Sequence, residues 1–307
     1  MLNRRKFMIA AATTAAINRV SAQTSPLRVQ LWPGDPPGGG GPVGPARVSA
    51  SETISNVACP FLEVITPREP NGASVLVAAG GGYTYIAMAN EARPAAHWLT
   101  DQGVTAFILT YRLPREGWHN GPLAPLQDAQ RAIRIMRSMA ATLHLDPRRM
   151  GVLGFSAGGH LVGLASVRSD FHTYPATDQI DDQSARPDFA ALIYPVVTLE
   201  PPLDHTSTCH ELIGDHPSPE ARDEWSIQTH VQRGCPPMFL VEADDDPICK
   251  PAHTRILEAA CLKADVPVEL VRFESGGHGF GMGRPATPEM MWPDMYRTWL
   301  SRLGVLT

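Results

Sequence analysis

The residues with the clearest chemical potential form a short glycine-flanked segment in the middle of the chain, residues 154–158 (Gly-Phe-Ser-Ala-Gly). The apolar run at 150–154 predicts a strand that enters this segment, and residues 157–166 predict a helix that leaves it. At such a junction the serine occupies a strained turn that lifts its hydroxyl off the sheet, and the glycines permit close backbone approach. Ser156 is therefore the predicted nucleophile.

A serine hydroxyl attacks readily only when a base accepts its proton, and a histidine oriented by a carboxylate is the usual base. His278 lies in residues 275–280 (Ser-Gly-Gly-His-Gly-Phe), directly after the last predicted strand. His160 is nearer in sequence, but the helix that leaves Ser156 would carry its ring away. We predict that His278 is the general base and that His160 is structural.

The acid that orients the histidine is expected between the serine and the histidine in sequence, after the penultimate strand. That strand, predicted at 238–241, runs into residues 242–247 (Glu-Ala-Asp-Asp-Asp-Pro). An acidic run alone is usually a solvated turn, but at this position one member is expected to be functional. Asp246 is favoured because Pro247 restricts the loop just beyond it, and Asp245 stays the alternative.

Acyl transfer also needs hydrogen-bond donors for the oxyanion that forms in the transition state. A predicted strand at 74–79 runs into residues 80–83 (Gly-Gly-Gly-Tyr). The amides of Gly81 and Gly82, with the amide of Ala157, are the predicted donors. A phosphate-binding loop is the alternative, but the segment has neither a following Lys-Ser/Thr nor GxGxxG spacing, and no cofactor is expected.

A second group of reactive side chains lies between the serine and the acidic run. Its spacing matches neither a paired-cysteine site nor HExxH, so we do not predict a metal site. The five cysteines are irregularly spaced without a CxxC pair, which leaves any disulfide pairing open. The members of this second group are Asp204, His205, Cys209, His210, Asp215 and His216.

Short apolar runs that alternate with amphipathic stretches must position these residues, and this alternation is typical of an α/β fold with a mostly parallel sheet and helices on both faces. Residues 195–237 are rich in proline and are expected to be an irregular excursion over the carboxyl edge of the sheet. Helices are predicted near 126–140, 157–166, 253–264 and 291–303. Strands are predicted at 61–66, 74–79, 104–111, 150–154, 189–194, 238–241 and 268–273.

Residues 1–22 predict a twin-arginine signal peptide, because residues 4–7 (Arg-Arg-Lys-Phe) precede a weakly apolar run and small residues ending at Ala22. The run is too short for a membrane span. The protein is therefore expected to be exported, either to the periplasm or to the medium. Cleavage after Ala22 would remove four basic residues and no acid, which changes the formal net charge from −5 to −9.

The rest of the chain divides into a Pro/Gly-rich arm at 23–55 and one catalytic domain at 56–307. With 43% hydrophobic and 19% charged residues, the composition is that of an ordinary globular protein. A net negative charge, with no stretch of interleaved basic and aromatic residues, argues against a nucleic-acid partner.

Together, residues 80–83, 154–161, 245–247 and 276–280 resemble the bacterial feruloyl and acetyl esterase branch of the α/β-hydrolases, which includes exported acetylxylan-esterase-like proteins. The resemblance spans about residues 31–303. It implies an α/β-hydrolase fold and a serine esterase without cofactor that acts on small-molecule or oligosaccharide esters, acetylated or feruloylated carbohydrate in particular. The residues it implies are Ser156, Asp246 and His278 as the triad, and Gly81, Gly82 and Ala157 as oxyanion donors.

Two departures from that branch stand out. Cys249 and Lys250 occupy the positions where relatives usually carry Val-Pro, and Ala79 occupies a position where many carry histidine or proline. A lipase or peptidase of the same fold is an alternative, although residues 195–237 are polar, unlike a lipase lid, and a large extra domain is lacking. A non-catalytic binding protein is a further alternative, which predicts the loss of a triad member.

Overall fold

The computed structural model describes residues 26–306. The predicted signal peptide at 1–22 and the first three residues of the predicted arm lie outside the described residues. Over residues 26–306, no helix has both the length and the apolar character to cross a membrane.

Most of the strands in the described residues coincide with apolar runs in the sequence. All seven predicted strands are present with ends within two residues of those expected, and four further short strands were not predicted. The strands are β1 (Leu27–Gln30), β2 (Arg47–Val48), β3 (Thr53–Ser55), β4 (Phe61–Ile65), β5 (Ser74–Ala78), β6 (Ile86–Ala87), β7 (Thr105–Thr110), β8 (Met150–Phe155), β9 (Phe189–Ile193), β10 (Met238–Ala243) and β11 (Val268–Phe273).

Eight of these strands, within residues 26–306, form one sheet in the order β1-β4-β7-β5-β8-β9-β10-β11. β1, β4 and β7 pair in antiparallel fashion, and the pairs from β7 through β11 are parallel. Every residue of β5, β7, β8, β9 and β10 is buried, as expected for strands covered on both faces. The carboxyl ends of the parallel strands therefore meet at one edge, where the predicted site residues follow β5, β8, β10 and β11.

Helices surround the sheet, which confirms the predicted fold class. α1 and α8 meet through the stacked rings of Trp98 and Tyr296, whereas α2 and α4 contact each other. The buried helix α4 carries small and apolar residues throughout, so it can lie flat against β8 and β9. The helices are α1 (Arg93–Asp101), α2 (Leu123–Ser138), α3 (Ala140–Leu143), α4 (Ser156–Val167), α5 (Ser207–Ile213), α6 (Pro219–Trp225), α7 (Ala252–Lys263) and α8 (Trp292–Arg302).

The segment before β4 is tied to the main domain. β1 adds an antiparallel strand to the edge of the sheet, and the indole of Trp32 donates a hydrogen bond to buried Asp128 at 2.8 Å. Asp128 also binds the buried guanidinium of Arg112, which in turn donates to the carbonyl of Pro37. The sequence analysis missed β1 because a four-residue, mostly exposed strand has no hydrophobic period to detect.

Residues 195–237 are more regular than expected. Thr206 and Ser218 accept hydrogen bonds from the amides of Cys209 and Ala221, so they cap α5 and α6. Each helix has only seven residues, which is too short to produce a clear helical period, and the expectation of an irregular segment was wrong at these two places. The segment does cross the carboxyl edge of the sheet, because α5 begins beside the glycine loop after β5.

Candidate active site

Ser156 occupies the sharp turn between β8 and α4. Its φ of +50° lies in the left-handed region, which a non-glycine residue adopts only under strain. A Cβ at Gly158 would lie 2.2 Å from the carbonyl oxygen of Ala78, and a Cβ at Gly154 would lie 2.5 Å from that of Gly158. Both flanking glycines are therefore required by close backbone packing, which is the role that the motif predicted for them.

The structure brings the three predicted triad residues together across the edge of the sheet. The Nε2 atom of His278 lies 2.9 Å from the Oγ atom of Ser156, and its Nδ1 atom lies 2.7 Å from the Oδ2 atom of Asp246. The three residues follow β8, β10 and β11. This arrangement lets one imidazole contact a hydroxyl and a carboxylate at the same time.

Asp246 is the buried one of the three aspartates in the acidic run, with 4% of its surface exposed. Its Oδ1 atom accepts hydrogen bonds from the amides of Ile248, at 2.8 Å, and Cys249, at 2.9 Å. These two donors hold the carboxylate so that Oδ2 faces His278. The departure at Cys249 leaves this contact intact, because the backbone amide makes it, while the buried thiol lies within hydrogen-bond reach of the Ser156 side chain.

The neighbouring aspartates have other partners. Asp245 is exposed and accepts a hydrogen bond from the amide of Gly277 at 2.7 Å, so it supports the loop that carries the histidine. Asp244 pairs with Arg255 and Arg272 at the surface. The alternative of Asp245 as the triad acid has no contact in its favour.

The glycine loop after β5 lies opposite Ser156. Gly81 has a φ of +119° and Gly82 a φ of +63°, and an added Cβ would meet the carbonyl oxygen of Tyr85 at 2.1 Å or the hydroxyl of Ser207 at 2.2 Å. Both glycines line the same cavity as Ser156 and His278. The amide of Ala157 belongs to the first turn of α4, where backbone amides have no partner within the helix.

The cavity at this position has a volume of about 300 Å³. Hydroxyl and amide side chains from the glycine loop, the segment before α1 and the beginning of α5 form much of its wall, with a few apolar side chains between them. The side chains are those of Thr84, Tyr85, Ala87, Asn90, Glu91, Val196, Thr206, Ser207, Thr208 and Ile248, in addition to the residues described above.

Residues 62–261 match the BD-FAE family. The chain belongs to the BD-FAE family. The match includes Ser156, Asp246 and the glycine loop, whereas His278 lies beyond it. It bears out the resemblance to esterases of the α/β-hydrolase fold.

Two curated proteins show the same relationship. An acetylxylan esterase of Xylanibacter ruminicola is 31% identical over 222 residues, which cover 71% of this chain and 43% of that protein. Endo-1,4-beta-xylanase B of Butyrivibrio fibrisolvens is 30% identical over 207 residues, which cover 67% of this chain and 32% of that protein. The chain thus spans less than half the length of these relatives.

Solved structures extend the comparison to the whole fold. An acetyl ester-xyloside bifunctional hydrolase from Caldicellulosiruptor lactoaceticus superposes with a TM-score of 0.74 at 32% identity, and covers 89% of this chain and 99% of its own. Esterase Est2 of Thermogutta terrifontis superposes with a TM-score of 0.68 at 25% identity, and covers 85% of this chain and 96% of its own. The BD-FAE chain therefore has the α/β-hydrolase fold.

His160 lies in this BD-FAE protein on the buried side of α4. Its Nδ1 atom is 3.0 Å from the hydroxyl of Tyr83, and its Nε2 atom is 2.8 Å from the carbonyl oxygen of Trp225. Burial lowers the pKa of His160 to about 4, so the ring is neutral at physiological pH. Both nitrogens serve packing contacts that join the glycine loop to α6, in agreement with the predicted structural role.

The second group of reactive side chains has other partners. Asp204 binds the guanidinium of Arg222 at 2.5 Å, and His210 contacts Asp215. In residues 26–306, no three His, Cys, Asp or Glu side chains are grouped so that they could hold a metal ion. All five cysteines have free thiols in the structure.

The sequence analysis missed two residues beside the triad, Glu91 and Tyr194. Both are buried, and the Tyr194 hydroxyl donates a hydrogen bond to Glu91 at 3.0 Å. Neither residue lies in a motif, and their separation of 103 positions gives no signal in a single sequence. The fold brings them together by placing the helical turn before α1, which carries Glu91, beside the end of β9, which Tyr194 follows.

Proposed function

We propose that this BD-FAE protein is a serine carboxylic ester hydrolase that acts through an acyl-enzyme. The observation that carries the proposal is the continuous contact from Asp246 through His278 to Ser156, in a cavity that Gly81 and Gly82 also line. A non-catalytic binding role has no observation in its favour, because it predicts a missing member of this set.

In the first half of the reaction, Oγ of Ser156 attacks the ester carbonyl carbon while its proton passes to Nε2 of His278. The amides of Gly81, Gly82 and Ala157 stabilise the oxyanion of the tetrahedral intermediate. His278 then gives the proton to the departing alcohol, and the acyl group remains on the serine. In the second half, water attacks the acyl-enzyme with the same base and donors, which releases the acid and restores the hydroxyl.

For the substrate, we propose acetyl esters of carbohydrates. The names of two relatives, an acetylxylan esterase and an acetyl ester-xyloside hydrolase, support this class. The cavity wall supports it as well, because hydroxyl and amide side chains such as Asn90, Thr206 and Ser207 suit the hydroxyls of a sugar. Feruloylated carbohydrate is the alternative within the same chemistry.

The test compares Ser156→Ala with a matched variant, Ser166→Ala, which removes another buried serine hydroxyl from the same helix. We expect a fluorophosphonate probe to label the native protein and Ser166→Ala but not Ser156→Ala. Hydrolysis of an aryl acetate should follow the same pattern. Labelling of Ser156→Ala would refute the assignment of Ser156 as the nucleophile.

A substrate panel tests the acyl preference. Purified protein is assayed on acetyl, butyryl and feruloyl esters of one alcohol and on acetylated xylan. We expect the highest kcat/KM for the acetyl ester and release of acetate from the polymer. A higher kcat/KM for the feruloyl ester would refute the acetyl proposal and leave the serine chemistry in place.

We also propose that the protein is exported by the twin-arginine route. Residues 4–7 (Arg-Arg-Lys-Phe) support this proposal. Replacement of Arg4 and Arg5 by lysine should leave the precursor in the cytoplasm, whereas Arg19→Lys should be exported normally. Appearance of the doubly substituted protein outside the cytoplasm would refute the route.

A further inference from the structure

Glu91 is a buried carboxylate at the active site that the reaction steps above do not use. It lines the catalytic cavity with 5% of its surface exposed. Its Oε2 atom accepts a hydrogen bond from the amide of Gly80 at 2.5 Å, and its Oε1 atom accepts one from the hydroxyl of Tyr194 at 3.0 Å. It takes part in none of the ion pairs formed among residues 26–306.

Burying this carboxylate in its charged form costs free energy of folding. Burial raises the pKa of the Glu91 carboxyl, because the charged form loses its hydration, and the hydrogen bonds from Gly80 and Tyr194, together with the charge interaction with His278, offset this only in part. No arginine or lysine pairs with Glu91 among residues 26–306, so burying its charge contributes little to a stable core. Its presence at the catalytic cavity calls for another explanation.

Tyr194 extends the contact to the loop that carries the catalytic histidine. Its hydroxyl accepts a hydrogen bond from the amide of Gly281 at 2.9 Å while it donates to Glu91. Its ring and the imidazole of His278 pack edge to face, with the ring centres 4.9 Å apart. Tyr194 itself has a φ of +38°, so the backbone at the end of β9 is held in a strained conformation that presents the side chain to both partners.

Gly80 is the first residue of the glycine loop, and it lies directly beside the nucleophile. A Cβ at Gly80 would come within 2.8 Å of the Cβ of Ser156. Three hydrogen bonds therefore connect two loops beside Ser156: Gly80 to Glu91, Tyr194 to Glu91 and Gly281 to Tyr194. The first is the glycine loop at residues 80–83, called the oxyanion loop below, and the second is the loop at residues 274–281 that carries His278, called the histidine loop below.

We infer that Glu91 and Tyr194 form a positioning pair that fixes the oxyanion loop and the histidine loop relative to each other. The inference rests on the proposed ester hydrolysis. A carboxylate suits this place because each of its oxygens accepts a bond from a donor, one on each side. Glutamine has only one oxygen, which the Gly80 amide requires, so Glu91→Gln turns its NH₂ group toward Tyr194 and leaves the Tyr194 O–H without its acceptor.

Both loops contribute most in the transition state, when the oxyanion and the imidazolium exist together. A small displacement of either loop should therefore lower kcat and leave KM nearly unchanged, since a misplacement of about 1 Å can cost ~100-fold in rate. It should also weaken an inhibitor that forms a tetrahedral adduct with Ser156. Loss of general stability alone would not produce this combination.

The experiment measures kcat and KM on an aryl acetate, and the inhibition constant of trifluoroacetophenone, for Tyr194→Phe and Glu91→Gln. Two variants serve as matched controls. Tyr296→Phe removes another buried tyrosine hydroxyl, one that has no hydrogen-bond partner among the described residues. Glu63→Gln changes another buried glutamate, which pairs with two arginines. It lies on β4, near the edge of the sheet opposite to β11. Active sites are counted by fluorophosphonate titration so that only folded protein enters the rates.

We expect Tyr194→Phe and Glu91→Gln to lower kcat by about 10- to 100-fold, with KM within about two-fold, and to weaken the ketone by a similar factor. Because the two residues act as a unit, the double variant should be little worse than the poorer single variant. The controls should keep native rates.

Native kcat in either Tyr194→Phe or Glu91→Gln would overturn the inference. A loss of kcat with undiminished ketone affinity would overturn it too, because the two loops would then still be in place. Tyr194→Phe, which removes one oxygen atom, keeps the test decisive if Glu91→Gln does not fold. Failure of the native protein to react with the fluorophosphonate or to hydrolyse the ester would count against the proposed function instead.

Discussion

Replacement of Asp246 by asparagine is the most informative single change, because the structure dictates which way the new amide must face. Oδ1 of Asp246 accepts hydrogen bonds from the amides of Ile248 and Cys249 at 2.8 and 2.9 Å. An NH₂ group cannot accept these bonds, so the oxygen of the asparagine must take that position. The NH₂ group then faces Nδ1 of His278, which lies 2.7 Å from the other carboxylate oxygen in the native protein.

This orientation converts the base into the wrong tautomer. An NH₂ donor requires Nδ1 of His278 to be an acceptor, so the ring proton moves to Nε2, which faces Ser156 at 2.9 Å. A protonated Nε2 cannot take the serine proton, and the imidazolium also loses its counter-charge. The corresponding change in a serine protease lowers turnover ~10,000-fold, which equals about 5 kcal/mol of transition-state stabilisation. We expect a similar loss for Asp246→Asn.

The assay is kcat on a small aryl acetate, with Asp245→Asn and Asp244→Asn as matched controls. Asparagine at 245 keeps an oxygen for the amide of Gly277, so its turnover should fall by at most about ten-fold. Asp244→Asn removes only surface ion pairs and should be near wild type. The unfolding midpoint of Asp246→Asn should be close to native because the two backbone bonds remain. More than about a tenth of native turnover in Asp246→Asn would refute the tautomer argument.

Two further predictions concern the glycine loop and the buried histidines. Gly81→Ala should lower kcat about 100-fold, because its Cβ would lie 2.1 Å from the backbone carbonyl oxygen of Tyr85 at a φ of +119°. Gly214→Ala, at a positive φ in open space, should cost only about 1 kcal/mol of stability. Burial lowers the pKa of His160 and His253 to about 4 from an ordinary 6.5, so the unfolded chain binds more protons between these values. The free energy of unfolding should therefore fall, by on the order of 3 kcal/mol per histidine, as pH drops from about 6.5 to 4. Urea unfolding measured at a series of pH values checks this. An unfolding free energy that stays constant over this range would mean that the rings are already charged in the folded state.

The sequence by itself determined the parts of the site that depend on local geometry. The turn at Ser156 needs glycine on both sides because of contacts within a few residues of the serine and with one adjacent strand, and this requirement leaves a recognisable motif. The buried strands are recognisable for a similar reason, since a strand covered on both faces is a continuous apolar run. His278 was predicted from its glycine-rich segment after the last strand.

Only the tertiary structure decided among the three aspartates. Asp244, Asp245 and Asp246 have the same side chain, and their roles differ because two backbone amides and an imidazole contact Asp246, the amide of Gly277 contacts Asp245, and two surface arginines contact Asp244. A shift of the loop by one residue would exchange these roles, and neither composition nor periodicity specifies the position of a loop residue that closely.

The same holds for the elements and residues that the sequence analysis missed. β1 is held by its pairing with β4, and α5 and α6 are too short to show a period, so their stability comes from contacts and caps rather than from pattern. Glu91 and Tyr194 meet across 103 positions of chain because the helical turn before α1 lies beside the end of β9. A lone glutamate and a lone tyrosine become a pair only when the fold places them within hydrogen-bond distance.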